Sequence, residues 1–310
     1  MTFDLKAGVR VAVVGAGYLG ERAARELQSR GCEVIATART PVSVHRLTRQ
    51  GFKAAKLDLV ARTGFRAVKG VDAILLCAAP RRHSDADYLR LYKKGIAALC
   101  AKLRECGQAP RMVYTSSTAV YHFAHGHWTS ERSPVDTSTP RRAALVAAEE
   151  AVRHPPLSGI VLRLGGIYGP GRNRVPEIRN GLLPVESRGN FANIIHVDDA
   201  VAAAFFLLQR GRAGQTYIGV DTRPVRRSEM YAWLAKEIGA PAPLELPAST
   251  SPLRSAENKR CSSAKLIKLG YHFIYPSFEE GYRAIIAEEA EARRRPIREA
   301  HGEGRDDSAG

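Results

Sequence analysis

Residues 9–29 read VRVAVVGAGYLGERAARELQS, and this stretch decides the fold. VRVAVV is an apolar run of strand length, and ERAARELQS has the look of a helix. Between them lie Gly15, Ala16, Gly17, Tyr18, Leu19 and Gly20, a G-x-G-x-x-G that follows a strand and opens a helix. In that setting Gly15 permits a tight turn, Gly17 lets the backbone approach a pyrophosphate, and Gly20 lets helix and strand pack closely. The helix N-terminus adds free N–H groups and a partial positive charge suited to phosphate. The stretch points to a dinucleotide site at the start of a parallel α/β sheet.

The rest of the chain extends that pattern. VRVAVV, CEVIATA, FKAAKLDL, AILLCAA, RMVYTSS and GIVLRLG are six candidate strands separated by helical segments. Strands alternating with helices predict a doubly wound α/β sheet of Rossmann type, covered on both faces. In 87–106, Leu89, Tyr92, Ile96, Leu99 and Leu103 recur at three- and four-residue steps, which predicts one amphipathic helix ended by Gly107 and Pro110. A second helix is expected over 141–152. The Gly-, Pro- and Asn-rich stretch 165–193 reads as loop. A short strand and a helix follow in 194–209, with Asp198 or Asp199 placed as cap. A further strand is expected over 216–220, and a helix over 228–238 with Ser228 as its cap. The expected domains are a dinucleotide-binding body, 1–169 plus 194–220, and a small discontinuous substrate subdomain, 170–193 plus 221–286. The charged end, 287–310, reads as a frayed helix leading into disorder.

Composition narrows the class. The chain has 310 residues, 45% hydrophobic and 25% charged, as globular proteins have. It has no apolar run of membrane-spanning length and no signal-peptide pattern at the N-terminus. Five scattered cysteines without C-x-x-C spacing argue for reduced thiols in a cytoplasm, and against a disulfide framework or a zinc site. The three histidines His122, His125 and His127 share one loop without convergent geometry, so no metal is assigned to them. Net charge is +16, and 287–310 carries five basic and seven acidic residues, so the body holds the excess. That excess reads either as a solvated basic surface or as attraction for anionic ligands; without aromatic-interleaved basic stripes it does not read as nucleic-acid binding.

The second strand discriminates between cofactors. It ends Ala36-Thr37-Ala38-Arg39-Thr40, and no Asp or Glu occurs between Glu33 and Asp58. An acidic residue there would hold a ribose 2′-OH, whereas Arg39 suits a 2′-phosphate. NADP is therefore favoured over NAD; the alternative for Arg39 is a solvent-facing side chain. Asp58 reads equally as a partner for the adenine amine or as a loop cap. Ala78, Ala79 and Pro80 are small enough to let a cofactor pass over the sheet edge.

Several segments together resemble the short-chain dehydrogenase/reductase superfamily, in its extended and atypical branch of NAD-dependent epimerases and dehydratases. They are GAGYLG at 15–20, Asp58-Leu59, YTSSTAVY at 114–121, LRLGGIYGPGR at 162–172, NIIHVDDA at 193–200 and NKRCSSAKLIKLGYHFIYPSFEEGY at 258–282. The resemblance implies cofactor contacts at Gly15, Gly17, Tyr18, Leu19, Gly20, Arg39, Asp58, Leu59, Ala78, Ala79, Pro80, Thr115 and Ile167. It places Ser117 at the hydroxyl that bonds a substrate oxygen. It implies a homodimer through 87–106 and 141–152.

The Tyr-x-x-x-Lys pair that does proton chemistry in that family falls here on Arg141 and Leu145. Three readings follow. The chain is an atypical oxidoreductase or epimerase of a small or anionic carbonyl or hydroxyl compound, its proton donor among Tyr121, Tyr168, His122 and His196, with Tyr121 first. Or it binds NADP as a sensor without turnover. Or it does non-redox chemistry in the same cleft. Trp128 and Glu131 read either as an active-site W-x-x-E or as a Trp packing its loop onto the body. Arg163, Arg172 and Arg174 read as contacts for a substrate anion or as having no such role.

Overall fold

The seven strands of the central sheet are all parallel. They are β1 (Arg10–Val14), β2 (Glu33–Ala38), β3 (Lys53–Lys56), β4 (Ala73–Leu76), β5 (Arg111–Ser117), β6 (Ile160–Leu164) and β7 (Thr216–Gly219). Their spatial order is β7-β6-β5-β4-β1-β2-β3. The computed structural model describes residues 3–82, 84–121, 125–186, 190–246 and 258–302, with only the backbone of 186 and 293–302. Strand order reverses between β1 and β4, where Val14 lies opposite Thr37 on one side and Leu76 on the other. A crevice opens at such a point, beyond the C-terminal ends of the strands.

Alternation along β1 divides its side chains between two cores. Val11 and Val13 face a cluster shared with helices α1 (Tyr18–Ser29) and, later in the chain, Val197–Arg210. Ala12 and Val14 face a cluster shared with the segments 89–103 and 144–152. Each large side chain fully buried in these layers contributes about 1.5–3 kcal/mol. A third, smaller cluster joins Tyr168, Val175, Ile178, Met230, Leu234, Phe278 and Tyr282. Leu266 and Tyr271 instead pack with the first cluster, against the body of the sheet.

Local structure departs from expectation in four places. The segment 87–106 is not one regular helix. After a turn at Asp85–Tyr88 it becomes a π-helix over Leu89–Ile96 and then an α-helix, α3 (Ala97–Glu105). Gly95 sits so close to the chain after β3 that a Cβ there would lie 2.8 Å from the Leu59 carbonyl oxygen. The stretch 165–193 holds short strands at Gly166–Tyr168 and Phe191–Ala192 and a helical turn at Val175–Arg179. The helix Val197–Arg210 is capped by His196, whose ring accepts the Asp198 N–H at 3.3 Å, so both aspartates lie inside the first turn. The helix Arg227–Glu237 begins one residue before Ser228, with Arg226 at its N-cap and no side-chain cap. The final helix runs over Phe278–Gly302.

Candidate active site

The glycine turn has the geometry a pyrophosphate needs. Gly15 has φ +93°, and a Cβ on it would lie 2.7 Å from the Ala78 Cα, so only glycine fits the turn against the segment after β4. A Cβ on Gly20 would lie 2.3 Å from the Gly15 carbonyl oxygen. Gly17 is different: a Cβ on it would meet nothing within 4 Å, because the residue faces the cleft. It is also the N-cap of α1, with no side-chain cap on the helix. The first-turn N–H groups are thus left for a ligand. Thr37 ties the turn to β2, its hydroxyl accepting the Gly15 N–H at 3.2 Å and its carbonyl the Ala16 N–H at 2.8 Å.

Beyond β2, the residues Arg39, Thr40, Ser43 and Arg46 line the same cleft. Thr40 caps helix α2 (Pro41–Arg49), accepting the Ser43 N–H. Arg46 is held by Glu21 at 2.6 Å, whereas Arg39 is exposed and bonded to no described residue. Asp58 accepts the N–H groups of Val60 and Ala61 at 2.9 and 3.0 Å, so it caps its loop, and it lines the cleft as well. Leu59, Ala78, Ala79, Pro80, Thr115 and Ile167 line it too. Tyr18 and Leu19 stand at the start of α1, where the Tyr18 hydroxyl donates to the Pro170 carbonyl at 3.0 Å.

Ser117 lines the cleft at the end of β5, its hydroxyl accepting the Ala119 N–H at 3.1 Å. Tyr121 does not reach it. Its side chain is fully buried beneath the cleft, with the Arg163 guanidinium 4.7 Å from the ring centroid, and this corrects the expectation of a proton donor there. His196 is spent as a helix cap and is 2% exposed. Tyr168 lines the cleft with its ring, but its hydroxyl is sealed against Gly281. His122 lies outside the described residues.

The helix α4 (Pro140–Arg153) packs against β5, the strand that ends at Ser117. It turns Arg141 outward to Asp85 at 2.6 Å, presents Arg142 to the cleft in a pair with Asp136, and buries Leu145. Arg163 is also no ligand contact. It is 4% exposed and bound to Glu149 of α4, and Ser116 donates to the same carboxylate at 2.7 Å. Trp128 is 57% exposed with Arg260 stacked over it, so it does not pack its loop onto the body; Glu131 accepts the Ile218 N–H at 2.9 Å.

The cleft continues past Ser117 to a second half and has a total volume of about 2040 Å³. Arg227 and Lys259 stand there with Phe191, Asn193 and Tyr231, whereas Arg172 lies over the Tyr18 ring, 5.5 Å from its centroid, beside the glycine turn. Arg81, Arg82, Arg172 and Arg227 line the cleft with no carboxylate partner among the described residues, so the cleft attracts anions. Asn193 holds its lip together, donating to the Lys259 carbonyl at 3.0 Å and accepting the Cys261 N–H at 2.7 Å. Sequence reasoning missed Lys259 and Asn193, which only the fold brings to the strand ends. It also missed Tyr92, which it counted as core: the residue is 8% exposed but lines the cleft. Among the described residues no helix is long and apolar enough to cross a membrane.

This geometry has relatives. Protein YeeZ of Escherichia coli (strain K12) is 29% identical over 279 residues, spanning 86% of this chain and 96% of that one. The 3-diazoavenalumate denitrifying reductase of a Streptomyces species is 29% identical over 313 residues, spanning 88% and 99%. The crystal structure of human epimerase family protein SDR39U1 (isoform2) with NADPH has a TM-score of 0.73 at 20% identity, covering 89% of this chain and 99% of that one. The family model described as NAD dependent epimerase/dehydratase matches residues 11–219, two-thirds of the sequence, across the sheet and the cleft it carries. The chain belongs to the NAD dependent epimerase/dehydratase family.

Proposed function

We propose that this chain is an NADP-dependent oxidoreductase or epimerase of the atypical short-chain type, acting on a small anionic carbonyl or hydroxyl compound. The observation that carries the reading is one continuous cleft with a phosphate-binding turn at one end and, along its length, arginines without a carboxylate partner among the described residues. Gly15, Gly17 and Gly20 with the α1 N-terminus would hold the pyrophosphate. Arg39 and the N-terminal turn of α2 would hold a 2′-phosphate, and the absence of an acidic side chain at the end of β2 removes the usual ribose partner of NAD. Ala78, Ala79, Thr115 and Ile167 would flank the middle of the cofactor. When bound, the nicotinamide supplies or accepts a hydride. Ser117 would bond the substrate oxygen, and Arg227 would neutralise the substrate's charge.

A second reading, an NADP-binding regulator without turnover, draws on α4, which brings Arg142 rather than a Tyr–Lys pair to the cleft. One experiment separates the two. Calorimetric titration with NADPH and with NADH, on the native chain and on Arg39→Ala, tests the cofactor site; NADPH consumption over a panel of small carbonyl acids then tests turnover. Tighter NADPH binding that Arg39→Ala abolishes, with consumption, supports the enzyme. Binding without consumption supports the regulator, and no binding of either cofactor removes both.

A further inference from the structure

Helix α4 gives the cleft Arg142 but no phenol, whereas tyrosines of the neighbouring element line it. The π-helix Leu89–Ile96 packs along α4, and its wide turn sets Tyr88 and Tyr92 edge to face, with ring centroids 5.2 Å apart. Both line the cleft, as does Leu91 between them. The Tyr92 ring belongs to the same buried cluster as Leu145 and Tyr114. Its hydroxyl is bonded by no described residue, but it is not sealed as the hydroxyls of Tyr114, Tyr121 and Tyr168 are. Tyr88 is the lesser candidate: it is more exposed, and the Arg141 guanidinium lies 5.8 Å from its ring centroid. A π-helical stretch is rare and tends to occur where a site needs it.

We propose that Tyr92 is the proton donor of this cleft, its phenol facing the nicotinamide ring and the substrate oxygen. The proposal rests on the NADP-dependent oxidoreductase reading. The step is a two-electron reduction. The carbonyl carbon gains a C–H bond at the expense of the reduced nicotinamide, which is oxidised. The carbonyl π pair becomes an O–H bond to the Tyr92 proton, and the phenol O–H bond breaks. The phenoxide recovers its proton from water after product leaves. Burial pushes the Tyr92 hydroxyl above the ordinary tyrosine range, so it stays protonated at neutral pH and is available as an acid.

The test uses the full chain with its eleven tyrosines ¹³C-labelled at Cζ, and NADP⁺ as the probe. Tyr92→Phe identifies the Tyr92 signal by its loss. On saturation with NADP⁺ that signal is expected to shift and to titrate at lower pH, because the positive nicotinamide ring stabilises the phenoxide. Tyr88→Phe should leave that response in place. A Tyr92 signal that ignores NADP⁺, while calorimetry shows the cofactor bound, overturns the proposal and leaves the cofactor site standing. Absence of NADP⁺ binding removes the cofactor reading and the proposal with it. A second arm follows NADPH consumption over the panel of carbonyl acids. Tyr92→Phe should lower kcat by about 100-fold or more with NADPH affinity and unfolding unchanged. Equal rates, or NADPH bound but never consumed, overturn the donor role.

Discussion

Glu149 and Arg163 form a bidentate ion pair sealed inside the fold, with the guanidinium Nη2 donating to one carboxylate oxygen at 2.6 Å and Nε to the other at 3.0 Å. Glu149 is 0% and Arg163 4% exposed. The pair joins α4 to β6 and, through Ser116, to the end of β5 that carries Ser117. Breaking one partner of a buried pair leaves a buried charge uncompensated. Glu149→Gln is expected to lose about 3–5 kcal/mol in urea unfolding, and Glu149→Leu with Arg163→Met to recover most of it.

Gly281 lets the last helix lie on Tyr168. A Cβ there would fall 2.1 Å from the Tyr168 hydroxyl oxygen, and the ring cannot swing away because it stacks on Tyr282 with centroids 4.8 Å apart. Gly281→Ala should destabilise by about 1–3 kcal/mol. Tyr168→Phe removes the oxygen and should return part of that loss, so thermal melts of the four proteins in a double-mutant cycle would show coupling.

The glycines of the turn should separate stability from binding. Gly17→Ala meets open space and is expected to change the melting temperature little, while weakening NADPH binding at least tenfold. Gly20→Ala collides with the Gly15 carbonyl and should lower the melting temperature of the free protein as well. Calorimetry beside thermal melts reads both; equal effects from the two variants would refute the distinction.

Asp221 predicts a pH dependence of stability. Burial first, then the neighbouring Glu279 charge, pushes its carboxyl well above the ordinary range, and one of its oxygens is a buried acceptor without a partner. The folded state therefore holds this proton more tightly than the unfolded chain does. Its stabilising contribution is complete below about pH 4, the ordinary aspartate value, and is lost as pH rises through the folded value. The melting temperature should fall with rising pH in that window, and Asp221→Asn should flatten the decline. Asp199, also shifted upward by burial, acts in the same direction and should leave a residual slope.

Much of the sheet was legible because strand signals are local. Val11 and Val13 alternate with Ala12 and Val14, and the glycine turn names its own backbone geometry. The π-register of Leu89–Ile96 was not legible: apolar residues at three- and four-residue steps describe an α-helix and a π-helix alike, and the close approach of Gly95 to Leu59 is tertiary. The same limit hid Tyr92 in the core. Tyr121 misled for a related reason, since its place just after β5 says nothing of the Arg163 side chain that covers its ring. Lys259 and Asn193 lie 66 residues apart and meet through a side-chain amide, for which the sequence carries no periodic signal.

The all-parallel sheet gives the molecule a front and a back. Every strand but the edge strand β7 ends at the cleft, so the turns that enter the strands, such as those at Gly107 and Gly214, gather on the opposite side. A Cβ on either glycine would meet nothing within 4 Å. A surface, a dye or a fused domain tethered there would leave the ligand mouth turned toward bulk solution, so the back of the sheet is where this protein can be handled while its binding is watched.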